Sequence, residues 1–220
     1  LPLAPTALVE PWNRKEGFAY PPGSYGVLCH WQYGNLVNVF ARRFVVSARG
    51  SRGKFIRWFL QTEERSSLDR LQRLEEIRYV VLDAYSVCES FPGEVLRSGD
   101  SIDRFQVVES TSVVDGQELS VLSFGEEFRR SVGARLYLGD GYDLSRYRLV
   151  FESPGQSFLR YRSIPEVEAV ELRSTRLDTV EKEALYSPLT EPGTIWNEND
   201  YLCYSGDVSA SVKIFEVVEG

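Results

Sequence analysis

Long runs rich in β-branched and aromatic side chains dominate the chain. Residues 36–48 read LVNVFARRFVVSA and residues 54–61 read KFIRWFLQ, with Gly50-Ser51-Arg52-Gly53 between them as a turn. Such composition favours extended, half-buried strands. Across 76–88, strict alternation puts Ile77, Tyr79, Val81, Asp83, Tyr85 and Val87 on one face. Arg78, Val80, Leu82, Ala84 and Ser86 fall on the other, which predicts a long strand buried on part of both faces. Further strands are expected at 102–109, 117–124, 132–138, 146–152, 157–162, 167–173, 194–204 and 208–218. Turn chemistry separates them at Asp115-Gly116, Gly139-Asp140-Gly141, Ser153-Pro154-Gly155 and Glu191-Pro192-Gly193.

Helical spacing is scarcer. Leu68, Leu71 and Leu74 recur at i, i+3 and i+6 behind Ser66-Ser67, which predicts a short helix with a serine cap. A second is expected from Asp178 to Ala184, with Asp178 and Glu181 spaced as a capping pair. About eleven short strands at regular spacing predict a mainly β fold, a compact antiparallel sandwich or barrel with one or two short helices.

Composition narrows the organisation. With 220 residues and no Pro/Gly-rich interruption after Gly23, the chain reads as one β domain over 17–220 behind a linker-like segment 1–16. Methionine is absent, even at position 1, which points to a processed protein or a domain cut from a longer one. No run approaches the ~18 apolar residues of a membrane helix, so membrane insertion is not expected. Cys29, Cys88 and Cys203 are too few and too far apart for a disulfide framework, although one pair close in space could bridge. Sparse cysteine and the lack of any Asn-x-Ser/Thr triplet favour synthesis in a reducing compartment.

Charge is uneven. The net charge is −7, yet residues 17–62 hold Arg42, Arg43, Arg49, Arg52, Lys54 and Arg57 with no acid. Residues 163–220 carry twelve acids against four bases. General nucleic-acid affinity is therefore not expected, while the basic run either pairs with the acidic third or meets an anionic ligand.

Familiar catalytic signatures are missing. His30 is the single histidine, and adjacent Cys29 points to the opposite face of an extended strand, so the two cannot form a nucleophile pair. It reads as a rim or pocket histidine. Zinc lacks a ligand set, no metal or cofactor is expected, and Gly50 to Phe55 departs from a phosphate loop at both ends. Glu126-Glu127, Asp140 and Asp143 are carboxylates in turn-like contexts, the basis for an alternative reading as a carbohydrate-active β-barrel enzyme. A second alternative is an intracellular regulatory protein whose basic stretch binds RNA.

Aromatic side chains say more. Trp12, Phe18, Tyr20, Tyr25, Trp31 and Tyr33 crowd the first 33 residues among prolines and glycines, and Tyr142 sits in a Gly-Asp-Gly-Tyr-Asp loop. Rigid amphipathic rings in loops are good contact anchors. Trp31, Arg49, Arg52, Lys54 and Tyr142 are the candidate binding residues, with none assigned to catalysis.

The segment 191–206 (EPGTIWNENDYLCYSG), followed by the strand at 208–219, resembles the close of an astrovirus-type capsid spike domain. That resemblance implies a non-enzymatic projection on the virion surface, made in the host cytoplasm. It implies dimers that bind a host receptor, protein or glycan, and present epitopes to antibodies.

Overall fold

Neighbouring parallel strands cannot be joined by a tight turn, and this requirement organises the chain. The computed structural model describes residues 24–41, 43–46, 53–74, 76–114, 117–153, 159–160, 202–205 and 212–218. In it β1 (Gly26–Cys29) lies parallel to both β2 (Phe44–Val45) and β3 (Ile77–Asp83). The first crossover is α1 (Trp31–Leu36) with a π-helical turn at Val37–Ala41. The second carries α2 (Lys54–Phe59) and α3 (Glu64–Gln72). After β3 come a π-helical turn at Tyr85–Glu89, α4 (Phe91–Ser98) and a 3-10 turn at Ile102–Phe105. The hairpin β4 (Val108–Val114) and β5 (Gln117–Phe124) leads to α5 (Glu126–Arg130) and α6 (Val132–Gly139).

The remaining strands are β6 (Tyr147–Glu152), β7 (Leu159–Arg160), β8 (Leu202–Ser205) and β9 (Val212–Val217). β9 inserts antiparallel between β3 and β6, giving a mixed five-stranded sheet in the order β2-β1-β3-β9-β6. A second, antiparallel sheet runs β4-β5-β8-β7.

The mainly β sandwich or barrel is therefore overturned: helices fill the connections of a mixed sheet. Residues 36–48 hold the end of a helix, a π turn and a two-residue strand, because the crossover to β2 consumes most of the run. Residues 54–59 of the run 54–61 are α2, with Lys54 and Arg57 exposed while Phe55, Ile56, Trp58 and Phe59 are buried, a helical and not an alternating pattern. Residues 132–138 belong to α6, buried along its whole length and capped by the Ser131 hydroxyl, which accepts from the Ala134 N–H at 3.3 Å. A continuous apolar run of this kind does not distinguish strand from helix by periodicity alone. Residues 76–88 stop being a strand at Asp83. A helix does form where the leucine spacing predicts one, but Ser67 does not cap it; its hydroxyl donates to the Glu64 carbonyl within α3. The strands expected at 167–173, much of 194–204, the helix at 178–184 and the segment 1–16 lie outside the described residues.

One apolar core unites the helices with the sheet. Phe91, fully buried at the start of α4, is met by Phe59 at 5.6 Å, Phe105 at 5.3 Å, Phe124 at 5.8 Å and Phe128 at 4.8 Å between ring centroids. Phe124 and Phe128 stack at 4.2 Å. Edge-on and offset contacts of this kind stabilise beyond simple burial. Trp58 donates its indole N–H to the Tyr147 hydroxyl at 3.2 Å, and Ser67 bonds the same hydroxyl at 2.7 Å, so burial leaves neither ring's polar end unsatisfied. Lys213 on β9 is buried too, donating to the Tyr137 carbonyl at 2.7 Å and to Asp140 at 2.6 Å. Cys29 and Cys88 are both buried, and burial pushes the Cys88 thiol well above its ordinary pKa.

Gly133 lets α6 press directly on Phe59, since an added Cβ there would stand 2.0 Å from the ring. Gly133→Ala is expected to destabilise the fold by about 1–3 kcal/mol through overpacking, read from the midpoint of chemical denaturation.

Candidate functional site

The C-terminal ends of β1 and β3 open side by side, the position where open α/β sheets commonly present ligand sites. β3 ends on Asp83, whose carboxylate is fully buried. The Ser86 N–H donates to its Oδ1 at 2.9 Å, and the Tyr33 hydroxyl donates to Oδ2. Ser86 also closes the turn through its hydroxyl, which donates to the Asp83 carbonyl at 3.0 Å. Burial and the adjacent carboxylate push the Tyr33 phenol up to about 12, so it remains a donor.

β1 ends at His30, which is 1% exposed. Its ring stands 5.5 Å from Trp31, 6.0 Å from Phe55 on α2 and 5.6 Å from Tyr85 in the π turn. Neither ring nitrogen has a hydrogen-bond partner among the described residues. Glu94 Oε1 on α4 lies 3.8 Å from Nε2, beyond hydrogen-bond range, and is held by Arg97 one turn further along the helix. Burial lowers the His30 pKa from its usual 6.5, opposed by Glu94 and Asp83 and assisted by Arg97. At neutral pH the imidazole is therefore uncharged.

Directly beside this buried polar cluster, Trp31 is 56% exposed. Leu36, Val39 and Phe40, three and four residues apart along the helical segment, are exposed as well, Phe40 to 79%. Apolar surface next to buried polar groups is the composition of a recognition site.

The predicted binding residues scatter. Trp31 heads α1 at the site, and Lys54 is exposed at the start of α2, next in sequence to the Phe55 that touches His30. Tyr142 is half-buried against the core, in a loop where Arg135 donates to its carbonyl at 3.4 Å and to that of Asp143 at 2.9 Å. Arg49 and Arg52 lie outside the described residues. His30, expected at a rim or pocket, is buried among aromatic rings, whereas Tyr33, Asp83, Glu94 and Arg97 were missed. Asp83 carried the available signal: it is a carboxylate on the face otherwise occupied by apolar and aromatic residues of β3.

The two alternative readings lose their supports. Glu126 lies 3.7 Å from Arg130, Glu127 3.4 Å from Arg104 and Asp143 3.3 Å from Arg135, so each carboxylate has an arginine of its own and none converge. Arg43 of the basic run lies over the Tyr25 ring at 4.5 Å. Among the described residues no three His, Cys, Asp or Glu side chains gather to hold a metal ion, and no helix is long and apolar enough to cross a membrane.

A cleft of about 930 Å³ lined by Tyr25, Leu71, Glu76, Arg78 and Glu216 opens at the other end of β1 and β3. Its lining residue Tyr25 precedes His30 by five positions, about 17 Å at the rise of an extended strand. Its central charges satisfy one another, with Arg78 and Arg148 both donating to Glu216 and holding that carboxyl below the usual range. The His30 end, by contrast, holds buried ring nitrogens without hydrogen-bond partners beside exposed apolar surface.

Fold and site together describe a mixed α/β domain with an aromatic and apolar rim over a buried polar cluster. No family model matches the chain, and no curated protein matches it in sequence. Solved structures do. The chain is similar to the oligosaccharyltransferase of Archaeoglobus fulgidus in complex with Zn and sulfate, at 21% identity and a TM-score of 0.59, over 96% of this chain and 31% of that one. It is equally similar to that enzyme tethered with an acceptor peptide containing the NVT sequon, at 23% identity and 0.58, over 96% and 29%. The apo form gives 21% and 0.57, over 94% and 29%. The chain thus spans under one third of the length of those proteins. This likeness is one of fold, and it lies with a glycosylation enzyme and not with a capsid spike. The astrovirus resemblance is overturned, and with it the virion surface, the host receptor, the antibodies and the paired-spike dimer. Its quoted segment, 191–206, lies almost wholly outside the described residues and supplied no geometry.

Two outcomes follow from the buried groups. Tyr33→Phe leaves Asp83 Oδ2 without its hydroxyl donor and is expected to destabilise the domain by about 1–3 kcal/mol in chemical denaturation. Because the His30 pKa is lower folded than unfolded, the unfolded chain binds the extra proton first. Stability is fully present above 6.5 and falls as pH drops through the folded pKa. His30→Gln is expected to flatten that part of a stability profile recorded from about pH 7.5 to about pH 5.

Proposed function

We propose that this chain is the acceptor-binding domain of an oligosaccharyltransferase, holding a polypeptide segment across the C-terminal ends of β1 and β3. The observation that carries the reading is Trp31: an exposed indole at the head of α1, its ring 5.5 Å from that of buried His30, on the helix whose Tyr33 reaches buried Asp83. The shared fold supports it, since one of the similar Archaeoglobus fulgidus enzymes was solved tethered to an acceptor peptide.

The mechanism is recognition. Trp31 is a rigid, two-torsion anchor that covers apolar peptide surface at low entropic cost, and Leu36, Val39 and Phe40 extend that surface along the helical segment. Asp83 fixes Tyr33 through its hydroxyl and fixes the turn that carries Tyr85, so the floor beneath Trp31 does not move when a peptide arrives. A prearranged floor removes ordering cost from binding. No group at the site is placed as a nucleophile or a general base. In this reading sugar transfer belongs to other parts of the enzyme, and this domain presents the acceptor.

The test is a titration of the purified chain with a peptide containing Asn-Val-Thr, and with the same peptide carrying Gln in place of Asn, followed by two-dimensional NMR. Shifts confined to residues 30–40 and 83–86 for the first peptide are expected. Trp31→Ala is expected to weaken that binding about tenfold, about 1.4 kcal/mol. Its stability should stay within about 0.5 kcal/mol of the parent because the side chain is exposed. Absence of shifts at these positions at millimolar peptide sinks the reading.

A further inference from the structure

Glu94 stands between two partners that compete for one oxygen. Its Oε1 accepts from Arg97 Nη1 and lies 3.8 Å from His30 Nε2. Arg97 is a long, largely exposed side chain whose guanidinium can return to water at little cost, whereas His30 is enclosed by Trp31, Phe55 and Tyr85. The imidazole is buried with both nitrogens unbonded, a rare condition for buried polar atoms and one that a small movement would relieve.

A neutral ring gains little by approaching a carboxylate. A protonated ring has two N–H donors and a full charge, and the nearest carboxylate that can answer it is Glu94, at 3.8 Å only about 0.6 Å beyond hydrogen-bond range. Asp83 also faces the ring electrostatically, but its oxygens already accept from Tyr33 and Ser86. Arg97 opposes protonation from α4, Tyr85 presents its ring from the π turn, Phe55 does so from α2, and Tyr33 remains neutral. Among these groups, Glu94 alone can change partner without breaking the end of β3.

We propose that Glu94 is a proton-operated latch. With His30 neutral the carboxylate stays on Arg97 and the imidazole supports Trp31. With His30 protonated the carboxylate crosses to Nε2, the ring follows it toward α4, and Trp31 loses its support. The charge balance is simple: the proton comes from water, an ion pair with His30 replaces the ion pair with Arg97, and Arg97 is released to solvent. Acid therefore weakens the Trp31 surface. The effect on peptide binding rests on the acceptor-binding reading, while the latch itself does not.

His30 is the only histidine, so its ring gives a single, unambiguous NMR titration in the intact chain. The expected result is a midpoint below the usual 6.5, with the Trp31 indole signal, assigned by its loss in Trp31→Phe, moving at the same midpoint. Glu94→Gln is expected to lower the midpoint by about one pH unit and to abolish the pH dependence of the indole signal. Arg97→Gln should raise it by less, since solvent screens that guanidinium. An indole signal that stays flat while His30 titrates overturns the latch, as does an unmoved midpoint in Glu94→Gln. Both variants keep His30 in place, so the test survives if His30→Gln fails to fold. Peptide binding of equal strength at pH values on either side of the midpoint overturns control of binding. A peptide that binds at neither pH defeats the acceptor-binding reading alone and leaves the NMR result decisive for the latch.

Discussion

A fully buried carboxylate at the end of a central strand must find donors or lose its charge, and Asp83 sets the terms for everything around it. It takes the Ser86 N–H and the Tyr33 hydroxyl. The first ends β3 and turns the chain into the π-helical Tyr85–Glu89 segment; the second ties α1 to a residue fifty positions away. Once that turn is fixed, α4 follows in a set direction and brings Glu94 against His30. A single desolvated group thus positions the floor, one wall and the head of the candidate site.

The rest of the fold keeps this arrangement from relaxing. Phe91 opens α4 and is enclosed by four other phenylalanines, so the helix that carries Glu94 is anchored at its N-terminal end in the densest part of the core. Two buried cations act as braces elsewhere. Lys213 joins β9 to the end of α6, and Arg135 holds the loop that follows it through backbone carbonyls. Buried charges of this kind are strongly destabilising to break, which makes them good markers of fixed geometry. Against that scaffold the exposed helical segment from Trp31 to Ala41 stands out as the part free to meet another molecule.

The titratable groups at the site are committed to one another. Its carboxylates are occupied by donors, its phenol stays protonated and its histidine is neutral, shut away beneath an indole. The same burial that makes the imidazole a poor catalyst makes its charge state consequential, because a proton placed there has one available carboxylate to move.

By itself the sequence determined what could be read locally: the amphipathic leucine helix and the strands expected at 117–124, 146–152 and 208–218, which form at Gln117–Phe124, Tyr147–Glu152 and Val212–Val217. Each is set by spacing or turn chemistry within a dozen residues. It misled where one composition serves two structures. The aromatic and β-branched runs at 36–48, 54–61 and 132–138 resemble strands in isolation, yet parallel pairing of β1 with β2 and β3 required crossovers, and those runs supply helices. In 54–61 the exposed Lys54 and Arg57 among buried neighbours had already recorded the helical period. The meeting of His30, Tyr33, Asp83 and Glu94 was decided only by tertiary structure, since partners dozens of residues apart leave no mark in local pattern, and burial, which fixes their protonation, exists only once the sheet and helices have closed around them.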